Sequence, residues 1–475
     1  MLNHLIVALA EQLLRSMRSS LTTEVVSFVL DGRRAPSEVR RVAVEHVIDG
    51  FAVMLAGSRT DCSKKLVDFL AEWGRDSSSS MFGFKVKSCP SDAALVNGTS
   101  GHADDYDDTQ LSTSPDRVYG LLTHPTVPVL AAALAVGEKV GSPGEELLDA
   151  FIRGFEVECK LAEAIDPEHY KKGFHTTGTI GTFGACVSSS VLLGLGEDEL
   201  RYALGIAASM SSGIRANFGT MTKPLHAGKA ASNGVMASML GKRGFTSDPN
   251  SLDGQWGFMT VFGGKSDPDK ITGKLGNPYA LVHPGATLKM YPCGSLAQPS
   301  MDALLEIVKE EELKSGDIRR IQLRAGPNIL EPLRYKRPAN ELQAKFSLQF
   351  GLASIVIRRR AGLREYTTQF VNEPEVREMM ERVETIYDPA LGAMGVDKMR
   401  SIIEVELFDG RVIKRSAETA RGTPEKPLKE ADIYEKFSEC AGFILDAEGF
   451  ERVYSTIKNI EGLSDIRQLT SLVSK

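Results

Sequence analysis

The sequence predicts a mainly α protein, a large all-helical unit interrupted by a smaller α+β one, and three observations predict it. Residues 178–240 are dense in Gly, Ala and Ser. Each glycine costs a helix about 1 kcal/mol against alanine, so this many point to helices in close approach. Residues 318–324 and 402–407 run with β-branched side chains, and Phe408-Asp409-Gly410-Arg411 reads as a hairpin turn into Val412-Ile413. From Pro427 a helical pattern resumes through Leu445 and Ile457, so the last helices are expected to pack back onto the first unit. The expected division is an extension at 1–20, a helical unit at 21–273 and 416–475, and an α+β unit at 274–415. A chain of 475 residues exceeds what one core usually organises, in keeping with two units.

Taken in order, residues 1–20 read as an amphipathic extension with Arg15 and Arg18 on its later turns. Pro36-Ser37 opens a long helix closing at Gly57, with Ser37 as expected N-cap and Glu38 in the first turn. A helix over 64–73 and a strand-like run over 81–86 follow. Residues 126–140 read as a buried helix rich in Ala, Val and Leu. Ser142-Pro143-Gly144-Glu145 has the form of a capping box, with Ser capping and Pro at the first helical position, for a helix to about Ile165. In the α+β unit, 301–310 and 344–358 read as helices.

Composition narrows the function classes. A hydrophobic fraction of 42% and a charged fraction of 25% suit a folded globular chain. A net charge of -6 gives no footprint for nucleic acid. The six cysteines include no CxxC pair, so neither a structural zinc nor a disulfide framework is expected. The apolar run Leu5–Ala10 lacks a basic start and meets Glu11 at once, a poor signal peptide. No run approaches the about 20 apolar residues of a membrane span. A cytoplasmic protein without membrane or nucleic-acid partners is the expectation. GxxxxGK[ST], GxGxxG after a strand and a serine elbow are all missing, so no nucleotide cofactor is expected.

The chemistry concentrates in Asn97-Gly98-Thr99-Ser100-Gly101-His102-Ala103-Asp104-Asp105-Tyr106-Asp107-Asp108-Thr109. Carboxylates this dense repel one another, so some must have an altered pKa or an internal partner. His124-Pro125, Gly173-Phe174-His175-Thr176, Thr222-Lys223-Pro224-Leu225-His226 and Lys289-Met290-Tyr291-Pro292 each set a proton-carrying group beside a backbone punctuator. The hydroxyl-rich run after His175 suits a bound carboxylate. Lys223, His226 and Lys229 enter an alanine-rich helix, where a buried lysine needs a partner or an anionic ligand. Both signs of charge together suit proton transfer beside a carboxylate-bearing substrate. His4, His46 and His169 read as core histidines, and Cys293 as a turn cysteine. His102 with Asp104, Asp105, Asp107 and Asp108 offers ligands for a hard cation. No HxH or HxxxH pair exists, however, and Lys223 and Lys229 would compete, so no metal is expected.

These motifs, in this order and spacing, resemble the MmgE/PrpD superfamily, which includes 2-methylcitrate dehydratase, cis-aconitate decarboxylase and iminodisuccinate epimerase. The resemblance spans roughly 20–460. It implies a discontinuous all-α domain, an α+β lid, an active site between them, and a homodimer using neither metal nor organic cofactor. By motif, it puts Asp105 and Thr109 in the pocket, with His124 and His175 as proton-transfer groups and Lys223 neutralising a substrate carboxylate. Lys289 and Tyr335 (or its neighbour Arg334) would close over from the lid, and His102 and His226 are further substrate-binding candidates. Two positions depart from the pattern: Gly294 and Gln298 stand where relatives carry histidines, removing a proton donor that decarboxylation would use. The expected function is therefore a cofactor-independent, dehydratase-type lyase of a small di- or tricarboxylate. A dicarboxylate epimerase, a cis-aconitate-type decarboxylase and a non-catalytic binding relative are the alternatives.

Overall fold

A computed structural model describes residues 20–72, 77–112, 123–165, 167–395 and 398–474. The expected extension over 1–20, with His4, Arg15 and Arg18, lies outside these residues apart from Ser20. That serine caps the Leu21–Leu30 helix by accepting from the Thr23 amide.

The fold is mainly α with small sheets. Its central helix, Ser37–Ser58, is buried almost throughout from Val39 and packs against Pro90–Ala103, Thr126–Val140, Gly144–Ala164 and Glu430–Ala441. The last of these buries Ile433, Phe437 and Cys440, so residues late in the chain complete a core begun near Ala35. Thr126–Val140 is buried from Thr126 to Glu138, as a helix apolar all round must be.

The Gly/Ala/Ser-rich region forms Gly181–Leu193, Glu197–Met210 and Thr222–Gly241. The last lies along Pro90–Ala103 at glycine contact. A Cβ on Gly98 would meet Gly228 Cα at 2.8 Å, and one on Gly228 would meet the Leu95 carbonyl at 2.2 Å. Only glycine at both positions lets the two backbones approach this closely.

A second core runs from Tyr291 to Ala417 and takes in Leu111. Its four-stranded sheet has the order Val383–Tyr387, Ile318–Ala325, Ser401–Leu407, Val412–Ala417. The first pair is parallel and the other two are antiparallel. Ser401–Leu407 alternates buried and half-buried positions, the pattern of a sheet covered on one face, here by Gln298–Glu310 and Leu348–Arg358.

Several local expectations are corrected. Pro36 and Pro143, not Ser37 and Ser142, are the N-caps. An extended proline gives its carbonyl to the first helical turn and has no amide to leave unpaired, and Arg40 N donates to Pro36 O at 3.0 Å. Ser142 Oγ donates instead to Pro143 O. The run at 81–86 is the turn of a hairpin between Ser79–Met81 and Val86–Ser88, bent at Gly83, whose φ is +76°. The helix expected over 344–358 breaks, and Ser347 caps Leu348–Arg358. The expected 64–73 helix is Asp61–Ala71, and Trp73 lies outside the described residues. The edge strand Val383–Tyr387 was not anticipated. Among the described residues no helix is long and apolar enough to cross a membrane.

Candidate active site

The acidic motif leaves the C-terminal end of the Pro90–Ala103 helix. Asn97 anchors that helix, accepting from Phe82 N and donating to Ser80 O at 2.9 Å each. Asp104 is its C-cap and Asp105 takes a left-handed conformation, φ +53°, which aspartate tolerates better than most residues. The turn sends successive carboxylates to different partners. Asp104 meets Arg59 at 2.5 Å and Lys345 at 3.2 Å. Asp105 meets Lys223 at 2.6 Å and Lys289 at 3.3 Å. Asp107 meets His102 Nδ1 at 2.7 Å, and Asp108 meets His46 Nδ1 at 3.0 Å and Thr126 Oγ1 at 2.8 Å. Each acid thus has its own internal counterpart.

Two devices bring the distant segments in. Thr109–Gln110 pairs with Ala286–Thr287, which delivers Lys289; its ammonium also donates to the Asp105 carbonyl at 2.9 Å. The Gly98–Gly228 contact delivers Lys223 and, one turn on, His226. Lys229 is exposed and does not join them; six residues past Lys223, it stands about 240° round the helix from that lysine.

A small cavity, about 40 Å³, lies where the two cores meet. Asp105, Lys223 and Lys289 line one part of it, and His124, His175, Thr123, Thr176 and Thr177 another. Phe218, Leu296, Leu333 and Phe346 supply the apolar wall, with Gly294 and Ser295. Of the expected site residues, Asp105, His124, His175, Lys223 and Lys289 therefore share one cavity. Thr109, His102 and His226 stand behind it. Thr109 Oγ1 lies 2.7 Å from Ser295 Oγ, and His226 Nδ1 lies 2.9 Å from His175 Nδ1. Tyr335 does not line the cavity; its hydroxyl is 3.4 Å from the Phe218 carbonyl, which Arg334 also approaches.

The electrostatics follow from burial. Burial alone would raise Asp105, but Lys223 and then Lys289 hold its carboxyl well below the usual range. Burial lowers Lys223 despite the Asp105 carboxylate beside it. Desolvation, reinforced by nearby cations, pushes His102, His124 and His175 well below the usual imidazole value, and His226 down to about 4. Asp107 is raised by burial. The imidazoles are thus neutral at physiological pH, while the Asp105 carboxylate is ionised.

His124 has a defined tautomer. Its Nδ1 lies 2.7 Å from the Asp108 carbonyl, which can only accept, so Nδ1 carries the hydrogen and Nε2 the lone pair. The hydroxyl-rich run after His175 is used differently from the expectation. The Gly178 and Thr179 amides close onto His175 O, and Thr177 Oγ1 accepts from the His124 amide at 3.1 Å. Burial pushes the Cys293 thiol up to about 12, which makes it a structural cysteine. Phe218, Tyr170, Leu333 and Phe346 had no motif to flag them; as apolar and aromatic positions they read like any core residue. Lys345, buried against Asp104, also lies in no motif.

Lys223 and Lys289 thus share one cavity with the imidazoles of His124 and His175. The chain belongs to the MmgE/PrpD family: the MmgE/PrpD N-terminal domain matches residues 24–271 and the C-terminal domain residues 291–461. It is 29% identical over 438 residues to the human cis-aconitate decarboxylase, covering 90% of this chain and 88% of that one. With the Aspergillus terreus cis-aconitate decarboxylase it shares 24% over 483 residues, 96% of both chains. With the mitochondrial 2-methylcitrate dehydratase of Yarrowia lipolytica it shares 26% over 287 residues, 57% of this chain and 53% of that one. Decarboxylases and dehydratases are both lyases, and a lyase-type enzyme is the class these relatives support.

Proposed function

We propose that the chain is a lyase acting on a small di- or tricarboxylate by removing a proton beside a carboxylate, with the 274–415 unit as its lid. The observation that carries this reading is that Lys223, Lys289, His124 and His175, from four separate segments, line one cavity. Lys223 and Lys289 pair with the substrate carboxylate, and Asp105, ionised between them, fixes both ammonium groups rather than acting as a base. His124, with Nδ1–H spent on the Asp108 carbonyl, takes the proton on Nε2. As the C–H bond breaks, the two ammonium groups stabilise the charge growing on the carboxylate; fixed charges of this kind are worth about 3–4 kcal/mol apiece in a dry site. His175 carries a proton on Nε2 when His226 Nδ1–H donates to its Nδ1, and delivers it to the departing hydroxyl. The C–O bond then breaks, the alkene forms and water leaves; the proton taken by His124 Nε2 then passes back through solvent to the deprotonated His175, and both rings are neutral again.

Decarboxylation is the second reading, favoured by the relatives that match over most of this chain. It loses support at Gly294, which lines the cavity and presents no side chain there. A Cβ at that position would meet Leu333 Cδ2 at 2.9 Å, so the apolar wall fills the space.

Incubation with 2-methylcitrate and, separately, with cis-aconitate tests these readings. Ultraviolet absorbance of a new enoate from the first, with no CO2 from the second, is the expected result. CO2 release from cis-aconitate would establish decarboxylation instead. Deuterium entering recovered substrate without loss of water would indicate an epimerase. No turnover of either acid by wild type, or full turnover by both His124→Ala and Lys223→Ala, would overturn the assignment.

A further inference from the structure

The cavity histidines His124 and His175, with His102 behind them, have a second property that their spacing in sequence conceals. One ring nitrogen from each of His102, His124 and His175 lies within 4.8 Å of those from the other two. Their ring centroids stand 4.7, 5.6 and 6.4 Å apart. In each ring Nδ1 is already engaged: by the Asp107 carboxylate at 2.7 Å, the Asp108 carbonyl at 2.7 Å and His226 Nδ1 at 2.9 Å. Metal-ligating histidines are held in the same manner, one nitrogen oriented by a carboxylate or carbonyl and the other left for the ion. His102 Nε2 adds an independent sign. It is buried without a hydrogen-bond partner, an unfavourable state that a ligated ion would relieve.

We infer that His102, His124 and His175 form a binding site for a borderline transition-metal ion, of the Zn²⁺, Co²⁺ or Ni²⁺ class, and that the ion inhibits the enzyme. Three imidazole nitrogens select this class over Mg²⁺ or Ca²⁺, which require oxygen ligands. The Asp107 carboxylate behind His102 supplies compensating negative charge. Lys223 and Lys289 oppose a dication, which limits affinity and argues for an inhibitor rather than a resident ion. An ion on these nitrogens occupies Nε2 of His124 and His175, the atoms that move protons in the proposed reaction. The inhibitory part rests on that reaction, whereas binding is measurable without turnover.

The test is a CoCl2 titration of the full chain after chelator treatment, followed by visible absorption. One equivalent should bind at micromolar concentration with the strong d–d bands of a low-coordinate nitrogen site. His102→Gln, His124→Gln and His175→Gln should each weaken binding by about tenfold or more, while His169→Gln, at a buried histidine outside the cluster, should not. Far-UV circular dichroism identifies any variant that fails to fold, and the remaining variants then carry the comparison. ZnCl2 should abolish wild-type turnover, and EDTA should restore it. No stoichiometric binding, or binding unchanged in every folded variant of the triad, overturns the site. Triad-dependent binding that leaves turnover intact upholds the site and overturns both its inhibitory role and the assignment of proton transfer to His124 and His175.

Discussion

Asp105 stands between two ammonium groups, so losing the acid and losing one base are unequal events. Asp105→Asn leaves Lys223 and Lys289 buried and facing each other without a counter-charge, a defect that costs about 3–5 kcal/mol. Lys223→Met leaves Asp105 paired with Lys289 at 3.3 Å, so its stability loss should be clearly smaller, while turnover falls by about 10²–10³-fold. Urea unfolding beside steady-state rates checks both, and equal stability losses would contradict the pairing. His169 gives a separate prediction. It is stacked on Phe174 with centroids 4.6 Å apart, and burial lowers its pKa to about 4. Between that value and the unfolded value of about 6.5 only the unfolded chain takes up the proton. Stability should therefore be full above pH ~6.5 and fall towards pH ~4, by at most about 3 kcal/mol from this group. His169→Gln should flatten that part of the pH–stability curve; an unchanged slope would show that another group carries it. The sequence showed the cavity's charged residues, because lysines and acids beside apolar helices have no bland role. It did not show its apolar wall, since Phe218 and Leu333 satisfy a core and a site equally well.

Among the elements, helix pairing sets the distance from Lys223 to Asp105. The density of Gly, Ala and Ser over 178–240 indicated close helices, and the mainly α class with its inserted strands followed from the same kind of pattern. What stayed hidden was which helices meet. Gly98 precedes the dense region by eighty residues yet contacts Gly228, a pairing that no local periodicity encodes. Strand Val383–Tyr387 was equally illegible, being a short parallel edge whose partner lies sixty residues back. Gly228→Ala should be severe, because the added methyl meets the Leu95 carbonyl at 2.2 Å and backbone cannot yield as a side-chain end can. A loss of about 1–3 kcal/mol is expected, as for overpacked cores, together with reduced turnover as Lys223 shifts. Thermal melts and rates measured beside Ala230→Gly on the same helix separate packing from helix propensity, whose cost is only about 1 kcal/mol. A Gly228→Ala variant as stable and active as wild type would remove this contact from the account.

At the scale of the whole molecule, the proposed function depends on two cores meeting over one cavity, and several groups make the join. Thr109 pairs with Thr287, Tyr106 OH donates to Met290 O at 3.2 Å, and Lys345 reaches back to the Ala103 carbonyl at 2.8 Å and to Asp104 at 3.2 Å. Lys345 does not line the cavity, but the next residue, Phe346, does. Its role is thus to seat the apolar wall against the end of the acidic helix. Lys345→Met removes that tether while Asp104 keeps Arg59 at 2.5 Å, so the acid is not stranded. The apolar wall should then seat less favourably against every bound state alike, ground state and transition state together. Uniform loss of this kind raises KM and spares kcat. A rise in KM of about tenfold, with kcat within about threefold of wild type, is the expected result, and hydrogen exchange should quicken around 340–347. A fall in kcat as deep as the fall in kcat/KM would mean that Lys345 acts on the reacting charge itself, and the division into a charged floor and a seated apolar wall would have to be abandoned.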